Sequence, residues 1–442
     1  MHIQLSDHFT YGKLLGFTIP SIIMMIFTSI YGIVDGIFVS NFVGKTAFAA
    51  LNLIMPFVMI FGALGFMLGT GGCALISKTM GEGKREKANE LFSMYIAVSA
   101  LAGAVITAVG IAVMRPVSIA LGAEGQMIED CVTYGRILLS TLVFFILQCE
   151  FQSYCVAAER PRMGLWITVA AGVTNIVLDA VLVALLRWGL AGAAAATAMS
   201  QLVGGMIPLV YFSLPNSSVL RLRKFRFDGR ALWRACTNGA SELVSNLSMS
   251  VVNMLFNVQL LRFAGENGVA AYGVIMYVNF IFVGVFLGYA FGVAPVVSFH
   301  FGAGNEGELK SLRKKSLVLI GSSAVVLTLL AEVLAGVLSG IFVGYDAELY
   351  AMTRRGFMIY SASFLFMGFN MFASSFFTAL NDGPVSALIS FLRTFLFQVG
   401  AILVLPALLG LDGIWLAVVT AELLAVAVTI LCFVKKQKQY GY

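Results

Sequence analysis

The sequence predicts an all-α integral membrane protein, with twelve transmembrane helices in two pseudo-symmetric six-helix bundles around a central cleft. Of its 442 residues, 60% are hydrophobic and only 11% are charged, against about 25% charged in soluble domains. The apolar runs are long and continuous, whereas a β-barrel shows alternating segments of about ten residues. The chain also repeats itself at half its length. These features exclude a soluble enzyme, a nucleic-acid-binding protein and a disordered scaffold.

Twelve spans account for most of the chain. A bilayer core of about 30 Å needs roughly 20 apolar residues per helix, so no room is left for a separate soluble domain. The start of the chain has no basic segment and no small-residue cleavage site, so we expect the first apolar run to be a span. We place the spans at residues 14–40, 47–77, 92–113, 131–156, 163–186, 189–212, 236–261, 267–297, 316–342, 354–379, 385–407 and 410–434.

The basic residues predict the orientation. Alternate connections hold 20 Lys and Arg residues on one side and six on the other. Basic loops stay in the cytoplasm, so we expect an inner (plasma) membrane protein with both termini cytoplasmic. The net charge of +6 then reflects topology and contact with anionic lipid, not a nucleic-acid partner. The basic run at 221–227 fits a topogenic loop better than a regulatory patch.

The repeat has an offset of 221 residues. The segment GEGKREK at 81–87 falls on GAGNEGE at 302–308, and Gly135 falls on Gly356. We therefore divide the chain into a first half, residues 1–220, and a second half, residues 221–442, with six spans each. An even number of spans preserves direction, so the halves are parallel repeats about an axis along the membrane normal. Two such bundles around a cleft are the geometry of a secondary transporter.

Polar residues within the spans of the first half predict an ion site. Asp35 lies in span 1, Asn175 and Asp179 lie four apart on one face of span 5, and Thr197 lies in span 6. An isolated charge there costs at least about 2.5–3.5 kcal/mol. Together these oxygen donors suit Na⁺, and the two carboxylates alone suit a proton. Asp35 falls on Phe256 at the repeat offset, so the second half does not repeat the site.

Further acids are candidates for the cleft. Glu150 in span 4, with Gln148 and Gln152 nearby, lines the cleft or pairs with Arg136 at a helix end. Glu242 opens span 7, where it faces the substrate or is a solvated helix end.

The remaining acids, the prolines, the cysteines and the histidines give less information about function. Glu332 and Glu422 lack polar neighbours in sequence, so we expect structural or snorkelling roles. Pro20 in span 1 breaks the backbone hydrogen-bond ladder and predicts a helix kink. The cysteines and histidines show no metal-ligand spacing, so we expect no cofactor other than a coupling H⁺ or Na⁺.

Several motifs resemble the multidrug and toxic compound extrusion (MATE) family over nearly the whole chain. They are YGIVDGIFVSNFVGKTAFAALNLIMP from span 1 onward, GEGKREKA after span 2, AERP after span 4 and TNIVLD in span 5. The resemblance implies a transporter that exports small organic cations in exchange for H⁺ or Na⁺ by alternating access. We expect it to act as a monomer surrounded by lipid.

The resemblance also implies roles for individual residues. The family's first-half cation site corresponds to Asp35, Asn175, Asp179 and Thr197 of this chain. The carboxylate that some branches of the family carry in span 7 corresponds to Glu242, and the proline proposed to bend corresponds to Pro20. The chain departs from branches that carry a further acid in span 10, because it has Asn370 there and only a loop-side Asp382. This departure favours the first-half site, formed by Asp35, Asn175, Asp179 and Thr197.

Two alternatives remain. A flippase for a lipid-linked saccharide needs a cationic cleft for a diphosphate, but Arg136 and Arg393 are the only basic residues within the spans, apart from Arg354 and Arg355 at the very start of span 10. A passive channel needs no ion-coupling site. An enzyme is the least expected class of protein, because the sequence contains no recognisable set of catalytic residues.

Overall fold

The chain is described by a computed structural model that covers residues 3–43 and 45–442. All regular structure in these residues is helical. The helices are α1 (Tyr11–Phe42), α2 (Lys45–Gly81), α3 (Arg85–Ala120), α4 (Gln126–Ser140), α5 (Leu142–Ala157), α6 (Pro161–Leu178), α7 (Gly189–Ser213), α8 (Gly229–Asn238), α9 (Ala240–Gly302), α10 (Glu306–Val343), α11 (Ala347–Ser361), α12 (Phe364–Ala379), α13 (Gly383–Phe391), α14 (Phe397–Leu409) and α15 (Leu411–Tyr440).

The helices give the twelve predicted spans. Among the described residues, nine helical segments are long and apolar enough to cross a membrane, and two bent pairs add two more. These pairs are α4–α5, bent by 58°, and α11–α12, bent by 48°. The 63 residues of α9 would reach about 95 Å as one rod. Gly265, with φ of 61°, breaks α9 into two arms that each form a span.

Several helices extend beyond the predicted spans. α3 begins at Arg85 and α10 at Glu306, earlier than the predicted starts at 92 and 316. Hydropathy detects only the part of a helix that lies in hydrocarbon, so polar helical turns in water escape it. The predicted start of span 7 at 236 is wrong for another reason. Residues 229–238 form α8, a separate helix whose first turn is capped by Asp228.

The helices repeat as the sequence does. α4, α6 and α7 begin at residues 126, 161 and 189, and α11, α13 and α15 begin at 347, 383 and 411, an offset of 221 or 222. Span 5 contains a π-helical turn, Asp179–Leu185, and span 11 contains another, Leu392–Leu396. The duplicated halves therefore share their bends as well as their helix order. The boundary between residues 220 and 221 stays a prediction.

The halves contact each other mainly through α1 and α2, which pack against α9, and α2 also packs against α8. Gly284, Gly288 and Gly292, spaced four apart on the second arm, lie against the backbone of α1. Small residues at this spacing let two transmembrane helices approach closely.

At one end of this contact, the backbones of α2 and α9 lie directly against each other. A Cβ on Gly81 would lie 2.0 Å from the carbonyl oxygen of Phe299, and one on Gly302 would lie 2.0 Å from that of Lys78. The N-terminal segment crosses the same end of the molecule, since Glu308 of α10 accepts hydrogen bonds from the Phe9 amide, at 2.9 Å, and contacts His8. The halves are thus joined firmly at the end that carries the 78–84 and 303–305 connections.

Candidate functional site

A cavity of about 240 Å³ lies among the helices of the first half. Five of the predicted site residues line it. α1 contributes Asp35, α6 contributes Asn175, α7 contributes Thr197, and α5 contributes Gln148 and Gln152. Residues that are distant in the sequence are thus brought to one site.

Asp179 lies near these residues but does not itself line the cavity. It is the first residue of the π-helical turn that follows α6 and has no exposed surface, and Asp35 is only 7% exposed. The two carboxyl groups lie close enough to interact electrostatically. A carboxylate can only accept, so two ionised carboxylates at this distance repel each other unless a cation or proton lies between them.

Several oxygens at the site are buried without a donor. They are Oδ1 of Asp35, both carboxylate oxygens of Asp179 and Oδ1 of Asn175. The side-chain amide nitrogen of Asn175 donates to Oγ1 of Thr197 over 3.5 Å. The side-chain oxygen of Asn175 takes no part in this hydrogen bond. Buried acceptors are costly without a partner. This set fits a proton shared by the carboxylates or a Na⁺ ion held by several of the oxygens.

Aromatic and methionine side chains form the apolar wall of the cavity. Tyr31, one turn before Asp35 on α1, shares its face of the helix. Met55, Met59 and Phe66 of α2, with Phe145 of α5, complete this wall. Such side chains adapt to flat apolar molecules, and aromatic faces attract cations.

The structure separates Glu150 from its predicted partner. Glu150 is fully buried and accepts a hydrogen bond from Ser99 of α3. Arg136 is exposed and donates to the carbonyl oxygen of Ile111. The predicted pairing of Glu150 with Arg136 is therefore wrong. Glu150 does not line the cavity that its neighbours Gln148 and Gln152 line.

Glu242 and Pro20 lie apart from this cluster. Glu242 is half-buried in the first turn of α9, where its backbone carbonyl accepts from Asn246, and it does not line the first-half cavity. α1 continues as a helix through Pro20, and the kink there stays a prediction.

The expected isolation of Glu422 is wrong. Its side chain is 1% exposed and accepts from Asn370 over 2.7 Å, while Arg393 lies 3.8 Å away. These residues come from α15, α12 and the second π-helical turn. Arg393 is thus balanced by a carboxylate, which does not favour a diphosphate at this position.

Sequence reasoning also missed Tyr31 and Tyr134. Tyr31 was detectable, because a residue four positions before Asp35 lies on the same helical face. Tyr134 of α4 lies next to Thr197, Asp35 and Asp179. Nothing in the local sequence marks it, because helices packed from elsewhere in the chain bring these residues to it.

Comparison with known proteins agrees with this architecture. The chain is 22% identical to the multidrug export protein MepA of Staphylococcus aureus, over 97% of this chain and 94% of that protein. It is also 22% identical to MepA of Staphylococcus saprophyticus, over 96% and 93%. A crystal structure of MATE in complex with MaL6 superimposes with a TM-score of 0.93, at 22% identity and 98% coverage of both chains. An outward-facing multidrug resistance MATE family transporter gives 0.92, with 98% and 97% coverage.

The family match covers both halves. The sequence pattern of the MatE family matches residues 20–181 and again residues 243–403. The second match begins 223 residues after the first, as expected for a duplicated six-span unit. Together the two matches include most of the chain and all of the first-half site except Thr197. The chain is therefore a member of the MatE family of membrane transporters.

Proposed function

We propose that the protein is an antiporter that exports small organic cations in exchange for H⁺ or Na⁺ by alternating access. Its relatives are named as multidrug export proteins, which supports efflux of organic compounds. The observation that carries the coupling proposal is that Asp35 and Asp179 are buried near each other beside a cavity, with oxygens that lack donors.

In this mechanism the carboxylate pair binds one kind of cation at a time. With the pair ionised, its negative charge attracts an organic cation into the cavity, where the aromatic wall holds the apolar part. When H⁺ or Na⁺ enters from outside and neutralises the pair, this attraction is lost and the organic cation leaves outward. Asn175 and Thr197 position the oxygens that receive the entering ion.

The gradients limit what such exchange achieves. Exporting a monovalent cation against 100 mV costs about 2.3 kcal/mol, and one entering proton recovers the same amount. A pH gradient of one unit adds about 1.4 kcal/mol. One-for-one exchange then supports about a tenfold substrate gradient, and two ions per substrate support a much larger one.

Transport of ethidium in proteoliposomes tests the proposal, with pH and Na⁺ gradients imposed separately. We expect one gradient to drive ethidium movement in the wild type, and Asp35→Asn and Asp179→Asn to abolish it. Glu332→Gln is the matched control, because Glu332 is an exposed carboxylate on α10. Gradient-driven transport that survives in both aspartate variants would refute the mechanism.

We further propose that the protein resides in the inner (plasma) membrane, with both termini in the cytoplasm. The basic connections support this orientation. The closed end of the molecule, where Gly81 and Gly302 meet, then faces the cytoplasm.

A further inference from the structure

A basic pocket lies at the closed end of the molecule, between α2, α3 and α8. Its volume is about 220 Å³. One water needs about 10–15 Å³ by this measure, so the pocket has room for a phosphate group. Five basic side chains line it, namely Lys78, Lys84, Lys87, Arg230 and Arg234.

Two acids also line the pocket, and both are paired with a lysine. Glu82 lies 2.9 Å from Lys84. Asp228 lies 3.8 Å from Lys87. These carboxylates therefore balance two of the five positive charges.

Positive charge remains in excess at the pocket. Lys78 lies over the ring of Phe301, with Nζ 5.1 Å from the ring centre, and Arg234 is exposed on α8. Neither side chain forms an ion pair with a carboxylate of residues 3–43 or 45–442. Arg230 is also exposed, and Asp228, the acid near it, is already paired with Lys87. A pocket with this surplus attracts an anion.

The pocket joins helices of the two halves. The Tyr95 hydroxyl of α3 donates to the Ala231 carbonyl of α8 over 3.3 Å. A Cβ on Gly71 of α2 would clash with the carbonyl oxygen of Ala235, so the backbones of α2 and α8 are in direct contact. α8 therefore presents its two arginines from a fixed position against the first half.

Exposed aromatic side chains accompany the basic ones. Trp233 of α8 is 70% exposed, and Phe227, just before this helix, is 68% exposed. Tryptophan is enriched where a membrane protein meets the lipid head groups. Aromatic and basic side chains on one short helix are typical of a segment that lies at the boundary between head groups and acyl chains.

The second half does not repeat the pocket. At the offset of 221 residues, Lys84 and Lys87 fall on Asn305 and Glu308. Glu308 is 6% exposed and accepts a hydrogen bond from the Phe9 amide, so the N-terminal segment covers that position. The basic charge at 84–87 is therefore a property of the first half and not a packing feature common to both repeats.

We propose that this pocket binds the phosphate head group of an anionic glycerophospholipid, such as phosphatidylglycerol, from the cytoplasmic leaflet. Lys78, Arg230 and Arg234 surround the phosphate, and the acyl chains lie beside Trp233. Basic pockets between transmembrane helices on the cytoplasmic side are suited to such head groups. The bound lipid contacts both halves and so stabilises the closed end. The choice of leaflet rests on the orientation proposed above, whereas binding itself depends neither on orientation nor on ion coupling.

Quenching of Trp233 fluorescence by brominated lipids tests the proposal. The background carries Trp166→Phe and Trp188→Phe, because these tryptophans are exposed elsewhere, whereas Trp415 is buried. The full-length protein is placed in phosphatidylcholine nanodiscs that contain a varied fraction of brominated phosphatidylglycerol or brominated phosphatidylcholine. We expect half-maximal quenching at an about tenfold lower fraction of the brominated phosphatidylglycerol, because several basic side chains attract its phosphate.

Two double variants locate the lipid. Arg230→Gln with Arg234→Gln should raise the fraction of phosphatidylglycerol needed by about tenfold, since each Lys or Arg near the surface adds to the attraction. Lys224→Gln with Arg226→Gln is the matched control. It removes two exposed charges from the same connection, but neither residue lines the pocket, so we expect a change of less than about twofold.

Three results would overturn the inference. One is equal quenching by the two brominated lipids in the wild type. Another is equal weakening in the two double variants, which would indicate diffuse attraction to the whole connection. The third is relief of quenching by inorganic phosphate beyond that by sodium chloride at equal ionic strength, because the pocket would then take a soluble phosphate. No transport is measured, so failure of the coupling mechanism would leave these results unaffected.

Discussion

Asn175 and Thr197 show how single residues contribute to the candidate first-half site. They contact each other from two different helices, and Asp35 and Asp179 complete the group. All four were identifiable in the sequence, because polar residues within a span are rare and costly. Their mutual contact was not, since it depends on how α1, α6 and α7 pack.

Replacing Thr197 by valine tests this contact. Valine keeps the shape but removes the oxygen that accepts from Asn175. We expect the apparent affinity for the coupling ion to fall by about three- to tenfold, the effect of losing one modest hydrogen bond, with little change in Tm. The measurement is ion-driven ethidium transport at varied H⁺ or Na⁺ concentration.

Thr174→Val supplies the control for that experiment. The hydroxyl of Thr174 donates only to the carbonyl of Ala170 on its own helix. Equal ion affinity in the two threonine variants would show that Thr197 has no part in ion binding.

The partners of Glu422 and Glu150 could not be predicted from the sequence. Both were recognised as acids within spans. Their partners, Asn370 and Arg393 for the first and Ser99 for the second, come from other helices. A sequence pattern reports neighbours along one helix but not across a helix contact, and so the polar surroundings of these acids were missed or wrongly assigned.

At the scale of helices, glycine decides how closely α2 and α9 approach. Gly302→Ala would place a methyl group 2.0 Å from the Lys78 carbonyl oxygen, which is backbone and cannot rotate away. We expect a loss of about 1–3 kcal/mol, as for other overpacked contacts, seen as a lower Tm. Gly307→Ala is the control, because its nearest atom lies 3.7 Å away. An equal Tm for the two variants would contradict the close contact.

The short helix α8 depends on its cap. The Ala231 amide donates to Asp228, and this hydrogen bond, with nearby Lys87, holds the pKa of Asp228 below its usual value. A lowered pKa stabilises the fold above the unfolded pKa of about 3.9, and the benefit disappears as pH falls through the folded pKa.

Asp228→Ala should therefore weaken α8 at neutral pH. Loss of an N-cap costs about 1 kcal/mol, so we expect roughly fivefold faster hydrogen exchange at the Ala231 amide. The difference from the wild type should shrink below about pH 4. Asp228→Asn keeps a capping oxygen and should exchange much like the wild type at pH 7. A difference that persists unchanged at low pH would contradict this account.

The bounds of the helices were also only partly predictable from the sequence. Apolar runs predicted the spans because lipid requires about 20 apolar residues. They did not predict α8, the bends between α4 and α5 and between α11 and α12, or the polar ends of α3 and α10. Those depend on caps and on packing between helices.

For the whole molecule, the distribution of basic residues predicts orientation. We expect Lys224→Cys to react with an impermeant maleimide only after cells are permeabilised, and Tyr345→Cys to react in intact cells. Both positions are exposed and lie in connections of opposite predicted sides. The background carries Cys236→Ser and Cys432→Ser, because these thiols are half-buried. Labelling of the Lys224→Cys variant in intact cells would show that the orientation is reversed.

The sequence alone determined the membrane class, the twelve spans, the duplication and the four polar residues of the first-half site. Each follows from a requirement that acts along the chain: apolar length for a bilayer, an offset between repeats, and the cost of charge in hydrocarbon. Only the tertiary structure decided which polar groups meet. It placed Asp35 near Asp179, Glu150 against Ser99, and Arg393 with Glu422, because contacts between helices depend on how distant segments pack.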